Sequence, residues 1–266
     1  MVSPRPRIRR ARRHRTHLPN KLDKAPETST RDKTLDFVAR HYADATLYPL
    51  GSTEYYYSNI GFMLLGWIVE RLHGKPFERV ANEVLFAPLG MSDTFYFPHS
   101  TTAEPRHRIA DLDRRLPDPP DYDQYEKTRP GWKYVSPEGG LYSTAKDLRQ
   151  FMLLLRHRGQ LPDKPRILKV ESVERLLRDE TPGKNAGQEG IGRSLGFWVM
   201  RSPAPSAYPG FDPGTIHHSG RLSTDFWYNP TKDEIGIFLC QVVKHVGSTP
   251  ADGVADAFKQ MLARIP

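Results

Sequence analysis

The hydrophobic period of this chain changes once, and that change limits the folds open to it. Ile60, Met63, Leu64, Trp67, Ile68 and Leu72 recur at helical spacing and predict a strongly amphipathic helix. A shorter helical pattern covers residues 35–42. Gly74 suits the C′ position of the long helix, and Pro76 suits the first position of the next, which carries Phe77, Val80 and Val84 on one face. Leu148, Phe151, Met152 and Leu155 form another stripe, ended by Gly159, and a short helix follows over 170–177. Beyond a glycine-rich loop at 183–192 the pattern turns to strands at 195–200, 216–219, 225–229 and 235–243. Residues 229–234 read as a hairpin connection between the last two, and a closing helix over 252–264 turns Val254, Phe258, Met261 and Leu262 inward. Helices, then consecutive antiparallel strands, then a docking helix imply an α+β fold.

Charge is distributed just as unevenly. Residues 1–24 hold seven Arg, two Lys and one Asp, a net of +8, which is the formal charge of all 266 residues. The remainder is neutral, so the basic balance belongs to one end and not to a folded surface. Residues 1–33 read as a basic, Pro/Arg-rich disordered leader, and 34–266 as the domain. A basic run neutralises phosphates, but no aromatic platform accompanies this one, which argues against nucleic acid as a partner. No secretory-type apolar core appears, the default compartment is the cytoplasm, and no stretch approaches the ~20 apolar residues of a membrane span. The single cysteine, Cys240, permits no internal disulfide and reads as a buried strand thiol. Residues 98–138 are Pro-rich, charged and aperiodic, a long surface excursion. Its acids Asp111, Asp113, Asp118, Asp121 and Asp123 match no calcium-loop spacing.

Chemistry-bearing residues are few. Ser143-Thr-Ala-Lys146 is the one Ser-x-x-Lys in the chain, a spacing that can place a serine beside an activating lysine. It also sits at a helix entrance, where Thr144 and Asp147 spell a capping box. The structural reading is preferred, because activation needs geometry as well as spacing. His217 and His218 are adjacent strand residues that point to opposite faces, and no carboxylate or thiol completes a metal set. The glycines at 183–192 lack the Gly-Lys-Ser/Thr ending of a phosphate loop.

Three separated blocks resemble one family. Tyr57-Ser58-Asn59, running on into residues 60–70 and through 74–94, resembles the Tyr-x-Asn region of class C β-lactamase-like serine hydrolases. Gly139-Gly-Leu-Tyr-Ser-Thr-Ala-Lys-Asp-Leu148 is similar to a second block of that family, and His218-Ser219-Gly220 looks like the His-x-Gly version of its Lys-Thr-Gly motif. The resemblance spans roughly residues 34–264. It implies a β-lactamase/transpeptidase-like fold, a helical subdomain packed on an antiparallel sheet with the active site between them. It implies acyl transfer from an ester or amide to a serine, then hydrolysis, with a small-molecule substrate and no cofactor. Tyr57 would be the general base or proton shuttle, its phenol pKa depressed by a neighbouring cation. Asn59 would orient the substrate. His218 and Ser219 would lie on the edge strand facing the substrate, Gly220 would let the backbone approach, and the Arg221 N–H would supply half an oxyanion hole. A histidine where the family commonly has lysine leans towards ester or peptide-like substrates.

The family's Ser-x-x-Lys nucleophile lies well upstream of Tyr-x-Asn, and here 56 residues precede Tyr57. Ser29 is one residue too far from Lys33; Thr30 has the spacing but not the serine. The family's His-Thr-Ser-Gly segment is missing too. The expectation is therefore an N-terminally incomplete domain without its nucleophile, exposing a sheet edge and an apolar face. The alternative is a non-catalytic homologue that binds a ligand or partner through the same cleft.

Overall fold

Ser58 opens the longest helix. Its extended backbone (φ −132°, ψ 106°) lets the hydroxyl accept from the Gly61 N–H, and α2 runs Asn59–His73 until Gly74 adopts φ 62° and donates its N–H to the Glu70 carbonyl. The computed structural model describes residues 34–43, 57–96, 109–110, 135–183, 190–201, 208, 210–220, 222–241, 257–258 and 260–261. The leader and most of the 98–138 excursion lie outside them. Helix α1 (Leu35–Ala43) buries Leu35 against Met63, with Ile60, Leu64, Trp67 and Phe77 around the pair. The Trp67 indole N–H donates to Asp36 at 2.8 Å, locking the two helices. Ile68 and Leu72, expected inward, are exposed together with Phe62 and Leu65, Leu72 at 78%. Helix α2 is apolar on nearly every side, so periodicity marks a helix without choosing its buried face; docking of α1 chooses it.

Pro76 caps α3 (Phe77–Ala81) from outside instead of opening it. The helix then widens into a π turn, Asn82–Phe86, in which the Ala87 N–H reaches the Asn82 carbonyl, before α4 (Ala87–Leu89) closes it on Gly90. The extra residue turns Val84 outward, against expectation, and carries Phe86 and Leu89 into a cluster with Met91, Leu154 and Leu161.

Strand β1 (Phe95–Tyr96) pairs antiparallel with β2 (Leu141–Tyr142), and the Phe95 and Tyr142 rings stack at 5.6 Å. This small hairpin, which no sequence pattern signalled, ties together the two ends of the excursion. Helices α5 (Ala145–Arg156) and α6 (Val170–Leu177) then cover one face of a five-stranded antiparallel sheet. Its strands follow chain order: β3 (Ile191–Arg193), β4 (Trp198–Met200), β5 (Ile216–Ser219), β6 (Asp225–Asn229) and β7 (Glu234–Phe238). Met152, Leu155 and Val173 meet Phe197, Val199 and Ile216 across that interface. The opposite face packs Ile191, Met200, Phe211 and Trp227, with Phe258 from the C-terminal helical stretch beside them. The fold is α+β, as the change of period implies.

One row of directly opposed residues crosses all five strands: Arg193, Trp198, His217, Trp227 and Gly236. The Arg193 guanidinium carbon stands 3.5 Å from the centroid of a Trp198 ring, whose indole lies 5.5 Å from the His217 ring. At the far end Trp227 lies flat over Gly236, where a Cβ would fall 1.9 Å from the indole Cζ2, and its N–H donates to Glu234. Several boundaries differ from expectation. Strand β3 begins inside the predicted glycine-rich loop. Strand β4 starts late because Ser194 N–H bonds the Phe197 carbonyl and its hydroxyl accepts from Phe197 N–H, making a turn of residues 194–197. Cys240 lies just past β7 and is half-buried. Of the closing helix, Ala257, Phe258, Gln260 and Met261 are helical, and Met261 points outward; Val254 and Leu262 lie outside the described residues.

Candidate active site

Tyr57 and Asn59 stand at the mouth of α2, on either side of its capping serine, and both are exposed. Their position follows from how α2 is seated. Gly66 brings the helix backbone so close to Pro137 that a Cβ would fall 2.4 Å from the proline Cγ. A glycine inside a helix costs about 1 kcal/mol against alanine, and here the close approach explains it. The same turn presents Glu138, whose carboxylate acts on Tyr57 from one side while the Arg193 guanidinium acts from another. Burial pushes the Tyr57 phenol above its ordinary range; Arg193 pulls it down, Glu138 pushes it further up, and the net direction is upward. With half the side chain in solvent (51%), that upward push is partial. The expectation of a depressed phenol is therefore corrected: Tyr57 is an O–H donor in this setting. Glu138 opposes the one cation acting on it, and the surrounding protein disfavours phenolate.

Strand β5 carries the second group, and it is the middle strand of the sheet rather than an edge. Its two ladders differ in length. Pairing with β4 stops at Trp198 opposite His217, whereas pairing with β6 continues to Ser219 opposite Asp225. His218 and Ser219 thus have a neighbouring strand on one side only, which makes a local edge at the end of a central strand. His218 lies opposite Phe226 on the face covered by α5 and α6, and its Nδ1 is 3.0 Å from the Ser219 carbonyl oxygen. By strand alternation Ser219 takes the other face, with Asp225 and His217. Gly220 donates its N–H to the Thr224 carbonyl at 2.8 Å, and a Cβ there would lie 2.2 Å from the Thr224 hydroxyl, so the tight turn needs glycine. Arg221 lies outside the described residues. His217 is 2% exposed among Tyr208, Phe211 and Trp198, with Nδ1 3.9 Å from an Asp225 carboxylate oxygen.

Ser143 occupies the joint between β2 and α5. Asp147, 1% exposed, accepts at one oxygen from the Asp93 N–H at 2.8 Å and from the Thr94 hydroxyl at 2.9 Å. Since the Thr94 proton points to the carboxylate, the 2.8 Å contact between Ser143 and Thr94 uses the Ser143 proton. Thr144 caps α5 by accepting from the Asp147 N–H at 3.2 Å. The capping box is thus only half present, because the Asp147 side chain turns inward to hold residues 93 and 94. Lys146 is exposed on α5. Ser143 is a structural hydroxyl here. Among the described residues no three His, Cys, Asp or Glu side chains gather as a metal site would require.

Sequence reasoning missed Glu138 and Arg193. Glu138 carries no signal beyond preceding Gly139-Gly140, and Arg193 sits in what reads as a loop; both reach Tyr57 only through the fold.

Comparison with known proteins fits this geometry. The Beta-lactamase family model matches residues 4–259, including most of the arginine-rich leader. "Protein Rv1367c" of Mycobacterium tuberculosis is 28% identical over 214 residues, covering 72% of this chain and 50% of that protein. The chain spans about half the length of the curated relatives it matches. A penicillin-binding protein from Bacillus halodurans has a similar fold, with TM-score 0.63 at 19% identity over 86% of this chain and 62% of that one. So has EstCE1, described as a hydrolase with promiscuous acyltransferase activity, with TM-score 0.61 at 23% identity over 85% and 61%. The match over nearly the whole length, together with the Tyr-x-Asn turn, the Gly-Gly helix entrance and the His-x-Gly strand end, shows that the chain belongs to the β-lactamase family of serine hydrolases.

Proposed function

We propose that this chain forms the substrate-binding walls of an acyl-transfer cleft that accepts an ester or amide, and that the chain by itself carries no nucleophile for it. The observation that supports this most is the open side of β5 at His218–Gly220, set on the sheet face that α5 and α6 cover. In the reaction a serine oxygen adds to the substrate carbonyl, the tetrahedral adduct expels the alcohol or amine with a proton, and water then cleaves the acyl-serine. Tyr57, protonated, suits the donor to the leaving group. The Asn59 amide orients the substrate, and the backbone N–H of Arg221 supplies one donor to the oxyanion. Ser143 does not serve as the attacking group, because its proton goes to Thr94 and Lys146 faces solvent.

The test is treatment of the folded chain with a fluorophosphonate probe, read by intact mass, beside Ser143→Ala. No adduct is the expected result. An adduct abolished by Ser143→Ala makes Ser143 the nucleophile and sinks the second half of the proposal; an adduct that survives it points to another serine. A second reading, a homologue that binds without catalysis, draws on the same raised Tyr57 phenol.

A further inference from the structure

The contact that says most about the ligand is at His218. Its Nδ1 lies 3.0 Å from the carbonyl oxygen of Ser219. A carbonyl oxygen accepts and never donates, so Nδ1 carries the ring proton in this contact. In the neutral ring the other nitrogen, Nε2, is then the one with the lone pair. A lysine at this position would offer only donors.

We propose that His218 presents Nε2 as a hydrogen-bond acceptor at the open end of β5, and that the ligand group it meets is an uncharged donor, a carboxamide N–H or a hydroxyl, rather than a carboxylate. This rests on the cleft reading above and sharpens its substrate class. Two lone pairs facing each other repel, and a carboxylate desolvated against an acceptor leaves a charge unpaired. Other groups nearby do not reverse the preference. Arg193, the one cation acting on Tyr57, belongs to the row on the opposite sheet face and stacks on Trp198. Glu138 adds negative charge beside Tyr57. The Tyr57 hydroxyl and the His218 Nε2 then form a donor and an acceptor without net charge, suited to the two ends of an amide or a hydroxy-ester.

The experiment uses the full chain labelled with 15N, at pH 8. Long-range 1H–15N correlation reports which ring nitrogen of His218 carries the proton, the resonance being assigned by its loss in His218→Lys. An unprotonated Nε2 and protonated Nδ1 are expected; the reverse, or a doubly protonated ring, overturns the proposal. Phenylacetylglycinamide and phenylacetylglycine are then titrated into the same sample, since they differ only in carboxamide against carboxylate. The amide should bind about tenfold tighter, and His218→Lys, still folded by near-ultraviolet circular dichroism, should reverse the order. Equal or tighter binding of phenylacetylglycine overturns the ligand assignment. Binding of neither, beside an unprotonated Nε2, overturns the cleft reading and the ligand class together, while the tautomer stands.

Discussion

Replacing Ser143 by alanine separates a structural hydroxyl from a nucleophile, because the two roles move different observables. The side chain gives one neutral hydrogen bond to Thr94, and Thr94 retains its own bond to Asp147 when that partner is lost. No buried donor is orphaned, so the cost is the net value of one hydrogen bond, about 0.5–1.5 kcal/mol. For a chain of this size that lowers Tm by about 2–4 °C per kcal/mol. Asp147→Ala is the contrasting change. It leaves the Asp93 N–H and the Thr94 hydroxyl without their acceptor, and each unsatisfied group costs roughly 1–3 kcal/mol. Urea unfolding of wild type, Ser143→Ala, Thr94→Val and the double variant gives the pair energy directly, with an expected coupling of about 0.5–1.5 kcal/mol. Additive single effects, or an Ser143→Ala protein with an unchanged midpoint, would refute the argument that the Ser143 proton is held by Thr94.

Gly66→Ala should destabilise despite the better helix propensity of alanine, since the ~1 kcal/mol gained in the helix is offset by about 1–3 kcal/mol of overpacking against Pro137; a stabilised protein in thermal unfolding rejects that contact. Asp179 sits under Gly192 and pairs with Arg201. Burial alone would push its carboxyl up, but the Arg201 guanidinium and the Thr181 N–H and hydroxyl outweigh it and hold it down to about 2. A folded pKa below the unfolded one gives stability that is present above about pH 4 and lost as pH falls towards 2, on the order of 2 kcal/mol. Asp179→Asn should flatten the acid limb of the stability curve, and an unaltered acid limb counts against the pair. For Tyr57, the difference in ultraviolet absorbance titration between wild type and Tyr57→Phe should show a phenol ionising above the ordinary tyrosine range; a midpoint below that range restores the role of phenolate base.

Local rules carried much of this fold. Ser58, Gly74, Thr144 and Gly159 act on neighbours within five residues, except that Gly159 also abuts the backbone of Leu168, and the helix limits they set are those observed. Strands β5 and β6 and helix α6 lie where their residue types place them. What escaped depends on distant partners. Strand β3 is short and glycine-containing, and it exists because Gly192 leaves room for the Asp179 carboxylate. The β1–β2 hairpin joins residues some forty-five positions apart. The inward turn of Asp147 and the outward turn of Ile68 both answer to elements far along the chain. At the site, family resemblance named Tyr57, Asn59 and His218, but the charges around Tyr57 and the proton on His218 are properties of the folded arrangement.

The π turn at Asn82–Phe86 has a consequence for comparing chain lengths. A helix that admits one surplus residue has, in effect, recorded an insertion without looping it out. Deleting a single residue between Asn82 and Phe86 would restore an ordinary helical ladder, but it would rotate everything after it by about a third of a turn. Phe86 and Leu89 would then swing away from Leu154 and Leu161. Relatives that lack the surplus residue must fill that pocket from another position. A gap in this stretch of an alignment therefore marks a different core as well as a shorter helix.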